Sequence, residues 1–200
     1  MRFLRWFSIF TMLSVLGMTV AAQTAGAQGG GGAPAAPAAP PLRMNIAGFA
    51  DGTDIPVRFT QAGAQTSPGI TWINVPAGTV TFLLHVHDME ASRNKTTDDM
   101  LHWMVWNIPG TVTELPEGIP MGAQLQNGAY QLSATGPVFR GPGAPAAGPR
   151  HHYTFELFAL DMKLDIQPGE PFETRANIMK AIQGHILGKS VYMGLFHRPQ

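Results

Sequence analysis

The sequence of 200 residues contains no cysteine and carries little charge. Without cysteine the chain can form no disulfide, so its core must hold the fold unaided. A lipid anchor on an N-terminal cysteine is excluded for the same reason. Basic residues (Lys and Arg) number 13, as do acidic residues (Asp and Glu), and no block of like charge stands out. Because nucleic-acid binding needs a basic patch or stripe, this composition argues against it.

Several motifs of well-known enzyme classes are also missing. The sequence has no glycine-rich phosphate loop before a helix, no His-Glu-x-x-His zinc motif and no Gly-x-Ser-x-Gly nucleophile turn. It therefore gives no sign of nucleotide chemistry or of a serine-hydrolase site. We expect a protein that is not an enzyme and that needs no cofactor.

The first 27 residues have the features of a secretory signal peptide. Arg2 and Arg5 precede an apolar run from Trp6 to Ala22, and Ala25-Gly26-Ala27 offers a cleavage site. The alternative is an uncleaved membrane anchor, but the run is near the lower length limit for a span and contains several polar residues. We predict that residues 1–27 are removed on export to the periplasm or the extracellular space. The mature chain would keep 11 basic residues (13 − 2) and 13 acidic ones, with no membrane span.

Residues 28–41 read QGGGGAPAAPAAPP, which is only glycine, alanine and proline after the first residue. Such a segment has nothing to bury, so we predict a disordered linker. The remaining 159 residues (200 − 41), numbered 42–200, are enough for one domain with a sizeable core.

The pattern from residue 42 onwards predicts a mainly β domain. Short runs rich in β-branched and aromatic residues alternate with turns rich in glycine and proline. The clearest predicted strands are Ile70–Val75, Val80–Val86, Leu101–Ile108 and His152–Leu160. Many strands joined by such turns are typical of a β-sandwich or barrel.

One helix is predicted, over Pro171–Leu187. Three isoleucines recur within it at four-residue spacing, at Ile178, Ile182 and Ile186. Gly188 offers a stop. His185 would lie on the apolar face of this helix, where we expect a hydrogen-bonded core histidine.

Three predicted strands each place an ionisable residue at the end of an apolar face, because side chains alternate between the two faces of a strand. Asp88 ends the face of the Val80–Val86 strand, and His151 heads that of the last strand. His102 heads a face that, by simple alternation, also carries Met104, Trp106 and Ile108. Burial of an unpaired charge is costly, so these three groups should meet each other, water or a ligand. We predict a small pocket with an apolar floor at one end of a sheet.

Two further histidines, His85 and His87, fall on the opposite face of the Val80–Val86 strand. That face is mixed in character, so we expect both side chains to be partly exposed on the surface.

The residues of the predicted pocket occur in blocks that resemble the phosphatidylethanolamine-binding protein family, particularly its bacterial Raf kinase inhibitor-like members. The blocks are, in order, SPGITWINVPAGTVTFLLHVHD, DMEAS, HWMVWNIPG, a Gly-Pro pair followed by HHYTFELFALD, and AIQGHILGKSVYMGLFHR. The resemblance covers Leu42 to Arg198. It implies a Greek-key antiparallel β-sandwich with a few peripheral helices, and an anion-binding pocket at one sheet end.

Carried over by motif, the resemblance implies seven ligand-binding residues. They are the acidic-loop residues Asp88 and Glu90, the rim residues Gly141 and Pro142, and the pocket residues His102, His151 and Tyr153. The acidic loop departs from the family's D-P-D-A-P pattern at Met89, Glu90 and Ser92. A less stiff loop follows, with Met89 as an added apolar contact at the rim.

Such a set suits a small anionic or zwitterionic ligand. Imidazoles donate hydrogen bonds to an anion, and do so better when protonated. Asp88 would orient one imidazole or pair with a ligand ammonium. We therefore expect an exported small-ligand-binding protein whose pocket takes phosphate or a phospholipid headgroup such as phosphoethanolamine.

Two alternatives remain open. One is a metal-dependent hydrolase, since several suitable ligand types occur together, namely His87, Asp88, Glu90, His102 and His151. The other is an inhibitor or interaction protein that acts on an envelope or extracellular protein, as the inhibitor name of the relatives implies.

Overall fold

The computed structural model describes residues 39–200. The predicted signal peptide, and the predicted linker up to residue 38, lie outside the described residues. The last linker residues, 39–41, are exposed and belong to no strand or helix. No helix in this described part of the chain is long and apolar enough to cross a membrane.

The mainly β fold predicted from the sequence is confirmed. Residues 39–200 form nine strands, one α-helix and a short 3-10 helix at Val57–Phe59. The strands are β1 (Arg43–Ile46), β2 (Thr53–Asp54), β3 (Ile70–Ile73), β4 (Thr81–Asp88), β5 (Met100–Pro109), β6 (Glu114–Leu115), β7 (Tyr130–Leu132), β8 (His151–Leu160) and β9 (Ile186–Phe196); the helix is α1 (Pro171–Ala181).

The strands form two sheets. The small sheet has the order β1-β3-β6, and the large sheet has the order β2-β9-β8-β4-β5-β7. Neighbouring strands are antiparallel, with the exception of the two-residue strand β2, which runs parallel to β9. The resemblance implied a few peripheral helices, and α1 is the one α-helix that residues 39–200 form.

The large sheet is covered on both faces. One face packs against the small sheet, where the ring of Trp72 meets that of Phe82 edge-on at 5.2 Å between centroids. The other face packs under α1, where Ile178 and Ile182 are fully buried. A strand in the middle of such a sheet needs apolar side chains on both faces, which explains the nearly continuous apolar run of β4.

The alternation of β4 assigns its ionisable residues to opposite faces. Phe82, Leu84 and Val86 lie in the core between the two sheets, and Leu83 lies in the core under α1. Asp88 therefore falls on the small-sheet face, as predicted, whereas the odd-numbered histidines of β4 fall on the helix face.

Two β-bulges in β5 overturn the predicted faces of that strand. Val86 pairs with Trp103 and His87 with Leu101, so His102 is an extra residue with no partner on β4. A second shift lies between the partners of Phe82 and Leu84.

The prediction that His102 shares a face with Met104 and Trp106 is therefore wrong. Met104 and Trp106 pack in the core under α1. His102 instead meets Tyr153 of the core between the sheets, with the two rings edge-on and 5.0 Å apart.

The helix α1 is shorter than predicted. It begins at Pro171. Glu170 is the N-cap residue, and its carboxylate accepts a hydrogen bond from the Glu173 N–H at 2.7 Å. It ends at Ala181, because the chain turns through Gly184 at φ +84° and then enters β9.

The predicted helix end at Leu187 and the core position of His185 are thus both wrong. Leu187 lies in β9. His185 lies in the turn after α1, and its side chain is 44% exposed. Its Nδ1 is 2.8 Å from Oδ1 of Asp161, the residue that follows β8.

Candidate functional site

A small cavity lies at the end of the large sheet where β4 ends and where β5 and β8 begin. Asp88 pairs with Met100 of β5 and with Tyr153 of β8, so the three strand ends lie side by side. The cavity has a volume of about 140 Å³ and is lined by Gln61, Asp88, Ala91, Met100, His102, Arg140, Gly143, Ala144, Pro145, His151 and Tyr153. The structure thus brings together four of the seven predicted residues, namely Asp88, His102, His151 and Tyr153.

Asp88 is buried and fully engaged in hydrogen bonds. Its Oδ1 accepts from the backbone N–H groups of Glu90 at 3.1 Å and Ala91 at 3.2 Å, which closes the loop that follows β4. Its Oδ2 lies 2.9 Å from Nδ1 of His151. The carboxylate therefore shapes the loop and fixes one imidazole at the same time.

The ring of His151 is oriented by this contact. Because Nδ1–H donates to Asp88, Nε2 is the nitrogen that remains for a ligand. The side chain is 20% exposed, so it is accessible from the cavity mouth.

His102 is held in its neutral form. Its Nδ1–H donates to the backbone carbonyl of Arg140 at 2.8 Å, and the side chain is almost entirely buried. Burial lowers the pKa of His102 from 6.5 to about 4, because a charged imidazole would lose its hydration. At neutral pH its Nε2 is therefore an acceptor, and it becomes a donor only when an anion favours the protonated ring.

Tyr153 supports the loop that forms the far wall of the cavity. Its hydroxyl oxygen accepts from the N–H groups of Gly143 at 3.1 Å and Ala144 at 3.0 Å. Burial and the nearby Asp88 carboxylate raise its pKa well above the ordinary value for tyrosine. The hydroxyl therefore stays protonated and can donate its hydrogen.

Arg140 and Gln61 line the cavity, and the sequence reasoning missed both. Nη1 of Arg140 lies 2.9 Å from Sδ of Met100, and among the described residues Arg140 forms no ion pair. A guanidinium without an acidic partner at a cavity wall is well suited to an anion. One signal was present in the sequence, since this basic residue stands directly before the Gly-Pro pair.

Gly141 and Pro142 lie behind the rim rather than in the lining. The carbonyl of Gly141 accepts from Nε2 of Gln61 at 2.8 Å, and that of Pro142 accepts from the backbone N–H of Gln61 at 2.9 Å. A Cβ on Gly141 would stand 2.6 Å from the carbonyl oxygen of Phe59, so the close approach of these segments requires glycine. The pair positions the next three residues, which do line the cavity.

Glu90 is not one of the residues that line the cavity. Its Oε1 lies 2.5 Å from Nδ1 of His152, and its Oε2 accepts from the His152 N–H at 2.8 Å. Met89 does not line the cavity either: its side chain is exposed, and its sulfur accepts from the Thr154 hydroxyl at 3.0 Å. These contacts bind the loop after β4 to β8.

The structure does not bring together all five residues that the metal-hydrolase alternative named as possible metal ligands. Asp88, Glu90 and His151 offer atoms within 4.8 Å of one another, but the side chain of His87 lies on the other face of the sheet.

The expectation of a partly exposed His85 is wrong, since that residue is buried under α1 at 5% exposure.

Comparison with protein families gives one match across nearly the whole described domain. A family model described as "Phosphatidylethanolamine-binding protein" matches residues 45–197. A UPF0098 protein of Methanothermobacter thermautotrophicus is 33% identical over 159 residues, which are 78% of this chain and 99% of the relative. A UPF0098 protein of Chlamydia pneumoniae is 34% identical over 152 residues, which are 75% of this chain and 95% of the relative.

Solved structures show a similar fold. A phosphatidylethanolamine-binding protein homologue of Chlamydia trachomatis has a TM-score of 0.66 at 27% identity, covering 79% of this chain and 98% of its own. YbcL of Escherichia coli has a TM-score of 0.67 at 23% identity, covering 78% of this chain and 98% of its own. At that identity, the likeness to YbcL concerns the fold alone.

Proposed function

The chain belongs to the phosphatidylethanolamine-binding protein family, and we propose that it is an exported protein that binds a small phosphorylated ligand in the cavity beside Asp88. Family membership implies an anion-binding pocket. The observation that carries the proposal is the convergence of the Arg140 guanidinium, two imidazoles and the Tyr153 hydroxyl on one cavity. Each can donate a hydrogen bond to an anion in at least one protonation state.

The size of the cavity supports a ligand group no larger than a headgroup. Sites for drug-sized molecules enclose roughly 300–1,000 Å³, whereas this cavity encloses about 140 Å³. It suits a phosphate or carboxylate group, with the rest of the ligand in solvent. An attached ammonium could reach the rim near Asp88, which makes phosphoethanolamine a suitable zwitterionic probe.

Binding should strengthen as the pH falls through the imidazole range. An anion near His102 favours the charged ring that burial opposes, so the ligand and a proton bind together. The test is titration calorimetry of inorganic phosphate and of phosphoethanolamine with the full chain, from about pH 8 to about pH 5. Tighter binding of phosphoethanolamine than of phosphate would indicate recognition of the ammonium.

Two variants separate the pocket from the surface around it. Arg140→Gln removes the cation of the lining and should weaken phosphate binding roughly tenfold or more, since a hydrogen bond to a charged group contributes about 1.5–3 kcal/mol. His152→Ala is the matched control, because this exposed neighbour of His151 bonds Glu90 outside the cavity. Equal affinity in both variants would contradict the assignment, and no binding at any pH would favour a larger lipid or a protein partner.

We infer binding without turnover. Asp88, the carboxylate that lines the cavity, already accepts hydrogen bonds from His151 and from two backbone N–H groups. These bonds commit Asp88 to closing the loop and orienting His151, which is a positioning role. Release of inorganic phosphate from phosphoethanolamine during incubation with the full chain would contradict this inference.

Export is proposed on the N-terminal sequence. Arg2, Arg5, the apolar run and the Ala25-Gly26-Ala27 site together support cleavage before Gln28. The test is the intact mass of the protein recovered from separated cell fractions. A chain that begins at Gln28 in the periplasm or medium is expected, and a chain that retains residues 1–27 would contradict cleavage.

A further inference from the structure

A second cluster of ionisable side chains lies on the other face of the large sheet, beside α1. His85 and His87 project from β4, and Glu156 projects from β8, where it pairs with His85. Their side chains are 6%, 13% and 16% exposed, so the cluster is sheltered but open to small solutes. We propose that His85, His87 and Glu156 bind a divalent transition-metal ion such as Zn²⁺.

The spacing of the three side chains fits such an ion. Oε2 of Glu156 lies 3.3 Å from Nδ1 of His85 and 3.4 Å from Nε2 of His87. In a tetrahedral zinc site with bonds of about 2.0–2.2 Å, neighbouring ligand atoms stand about 3.3–3.5 Å apart. The ligand atoms of all three residues lie within 4.8 Å of one another, and the two imidazole rings are stacked with centroids 4.4 Å apart. Because the lone pair of an imidazole lies in the plane of its ring, the two parallel rings must tilt toward each other to share an ion.

Outer contacts orient two of the three ligands, His87 and Glu156, as they do in known zinc sites. Nδ1 of His87 is hydrogen-bonded to Asp99, which leaves Nε2 for the ion. This carboxylate–histidine pair is the usual partner arrangement behind a metal-bound imidazole. Asp99 is itself held by Nη1 of Arg175 at 2.5 Å.

The third ligand is oriented in the same way. Nζ of Lys189 lies 2.5 Å from Oε1 of Glu156, so Oε2 is the oxygen that faces the two rings. Both carboxylates therefore have one oxygen fixed by a cation of the chain.

An unsatisfied nitrogen points to the same site. The buried Nε2 of His87 has no hydrogen-bond partner among residues 39–200, although Oε2 of Glu156 lies 3.4 Å away, and the buried Nε2 of His85 has none either. Buried polar atoms are nearly always paired, and an unpaired one is costly. An ion between His87 and Glu156 would satisfy this nitrogen. Two histidines and one glutamate also form the ligand set that several zinc enzymes use, with a fourth position left for water.

The cluster is separate from the pocket at the sheet end. Asp88, Glu90 and His151 also offer atoms close enough to hold an ion. However, Asp88 is occupied by the loop N–H groups and His151, and Glu90 is occupied by His152. A variant of the Asp88, Glu90 and His151 group therefore serves as an internal control that shows which of the two groups binds the ion.

The test uses the full chain, freed of metal with a chelator and then titrated with Zn²⁺ by calorimetry, and with Co²⁺ by visible absorption. We expect one ion per chain and a Co²⁺ spectrum of a tetrahedral nitrogen–oxygen site. Glu156→Gln and His87→Ala should each abolish that spectrum. Asp99→Asn should weaken binding roughly 10–100-fold, because Asp99 only orients His87. His151→Ala should bind zinc as the parent does.

Three results would overturn the proposal: no stoichiometric ion in the parent chain, an ion retained by both Glu156→Gln and His87→Ala, or an ion lost in His151→Ala. If the parent chain binds no stoichiometric ion, the cluster is only a hydrogen-bonded network. If His151→Ala loses the ion, the ion binds in the pocket at the sheet end. Circular dichroism of each metal-free variant shows whether it is folded. Since Glu156→Gln is isosteric and His87 is partly exposed, at least one of the two should keep the fold.

Discussion

Tyr153 links the stability of the pocket to its chemistry through one oxygen atom. The hydroxyl accepts from two backbone N–H groups of the 143–145 segment, so its own hydrogen is the one that can point to a ligand. A phenylalanine would fill the same space in the core and would accept neither bond. The two N–H groups, close to the buried side of the loop, would then lack a partner.

We therefore expect Tyr153→Phe to lower the free energy of unfolding by about 1–3 kcal/mol, the cost of leaving a buried donor unpaired. Phosphate binding should weaken as well, because the wall of the cavity loosens. Urea unfolding and phosphate calorimetry are the two measurements. Tyr130→Phe is the control, since within the described residues the Tyr130 hydroxyl makes no hydrogen bond and its ring packs on Trp106. Equal stability of the two variants would contradict the role given to the hydroxyl.

At the residue scale, alternation along strands located much of the candidate site but not all of it. Asp88 and His151 stand where an apolar face runs out, a position that can be read from period-two patterning. Arg140, Gln61 and the 143–145 segment reach the cavity from irregular chain. Their placement depends on contacts between distant segments, such as Gln61 with Gly141, and no local period records those contacts.

At the element scale, the strands β3, β4, β5 and β8 were predictable because each is a run of β-branched and aromatic residues bounded by turn residues. The bulges of β5 were not predictable, since a bulge is defined by the partner strand and not by the bulged one. The extra residue at His102 is one such case. It turns the ring toward Tyr153, whereas strict alternation would have grouped it with Met104 and Trp106.

The C-terminal boundary of α1 shows a second limit of periodicity. The spacing of Ile178, Ile182 and Ile186 is helical throughout, yet Ile186 pairs with Leu160 as the first residue of β9. Gly184 prevents the helix from continuing to Ile186, because its backbone has a left-handed conformation. An apolar residue at the right spacing fits either element, so the pattern alone could not settle the boundary.

We expect Gly184→Ala to destabilise the chain by about 1 kcal/mol, since a Cβ is disfavoured in the left-handed region. No other atom stands within 4 Å of a Cβ built at this position, so the cost comes from the backbone and not from a clash. Gly184→Asn should recover part of the loss, because asparagine tolerates that conformation. Chemical unfolding of the three chains checks the order glycine, asparagine, alanine. Equal stability of all three would show that the turn relaxes.

At the scale of the whole molecule, the burial of His102 couples folding to pH. Its pKa is about 4 in the folded chain and 6.5 as the ordinary value, so the unfolded chain takes up the proton first. The stability from the neutral ring is complete above about pH 6.5 and is lost as the pH falls toward 4. The loss should be about 2 kcal/mol between pH 7 and pH 5.

The measurement is urea unfolding of the parent and of His102→Gln at those two pH values. Other groups titrate in both chains, so the difference between their pH dependences isolates His102. The parent should lose more stability than the variant on acidification. Saturating phosphate should reduce the parent's loss, because the anion favours the charged ring. Identical pH dependences would show that His102 is protonated in the folded chain at pH 5.

One strand in the middle of the large sheet serves both candidate sites. Along β4, Asp88 faces the anion pocket and His87 faces the histidine–glutamate cluster, with one peptide unit between them. Loss or gain of a single codon within Thr81–Asp88 would exchange the two faces for every residue beyond it. The gene should therefore tolerate substitutions in this stretch far better than changes of length. In a library of single-codon deletions, variants with a deletion in β4 should be depleted more strongly than variants with a deletion in the exposed 94–98 loop. A deletion in β4 should abolish phosphate binding and zinc binding together.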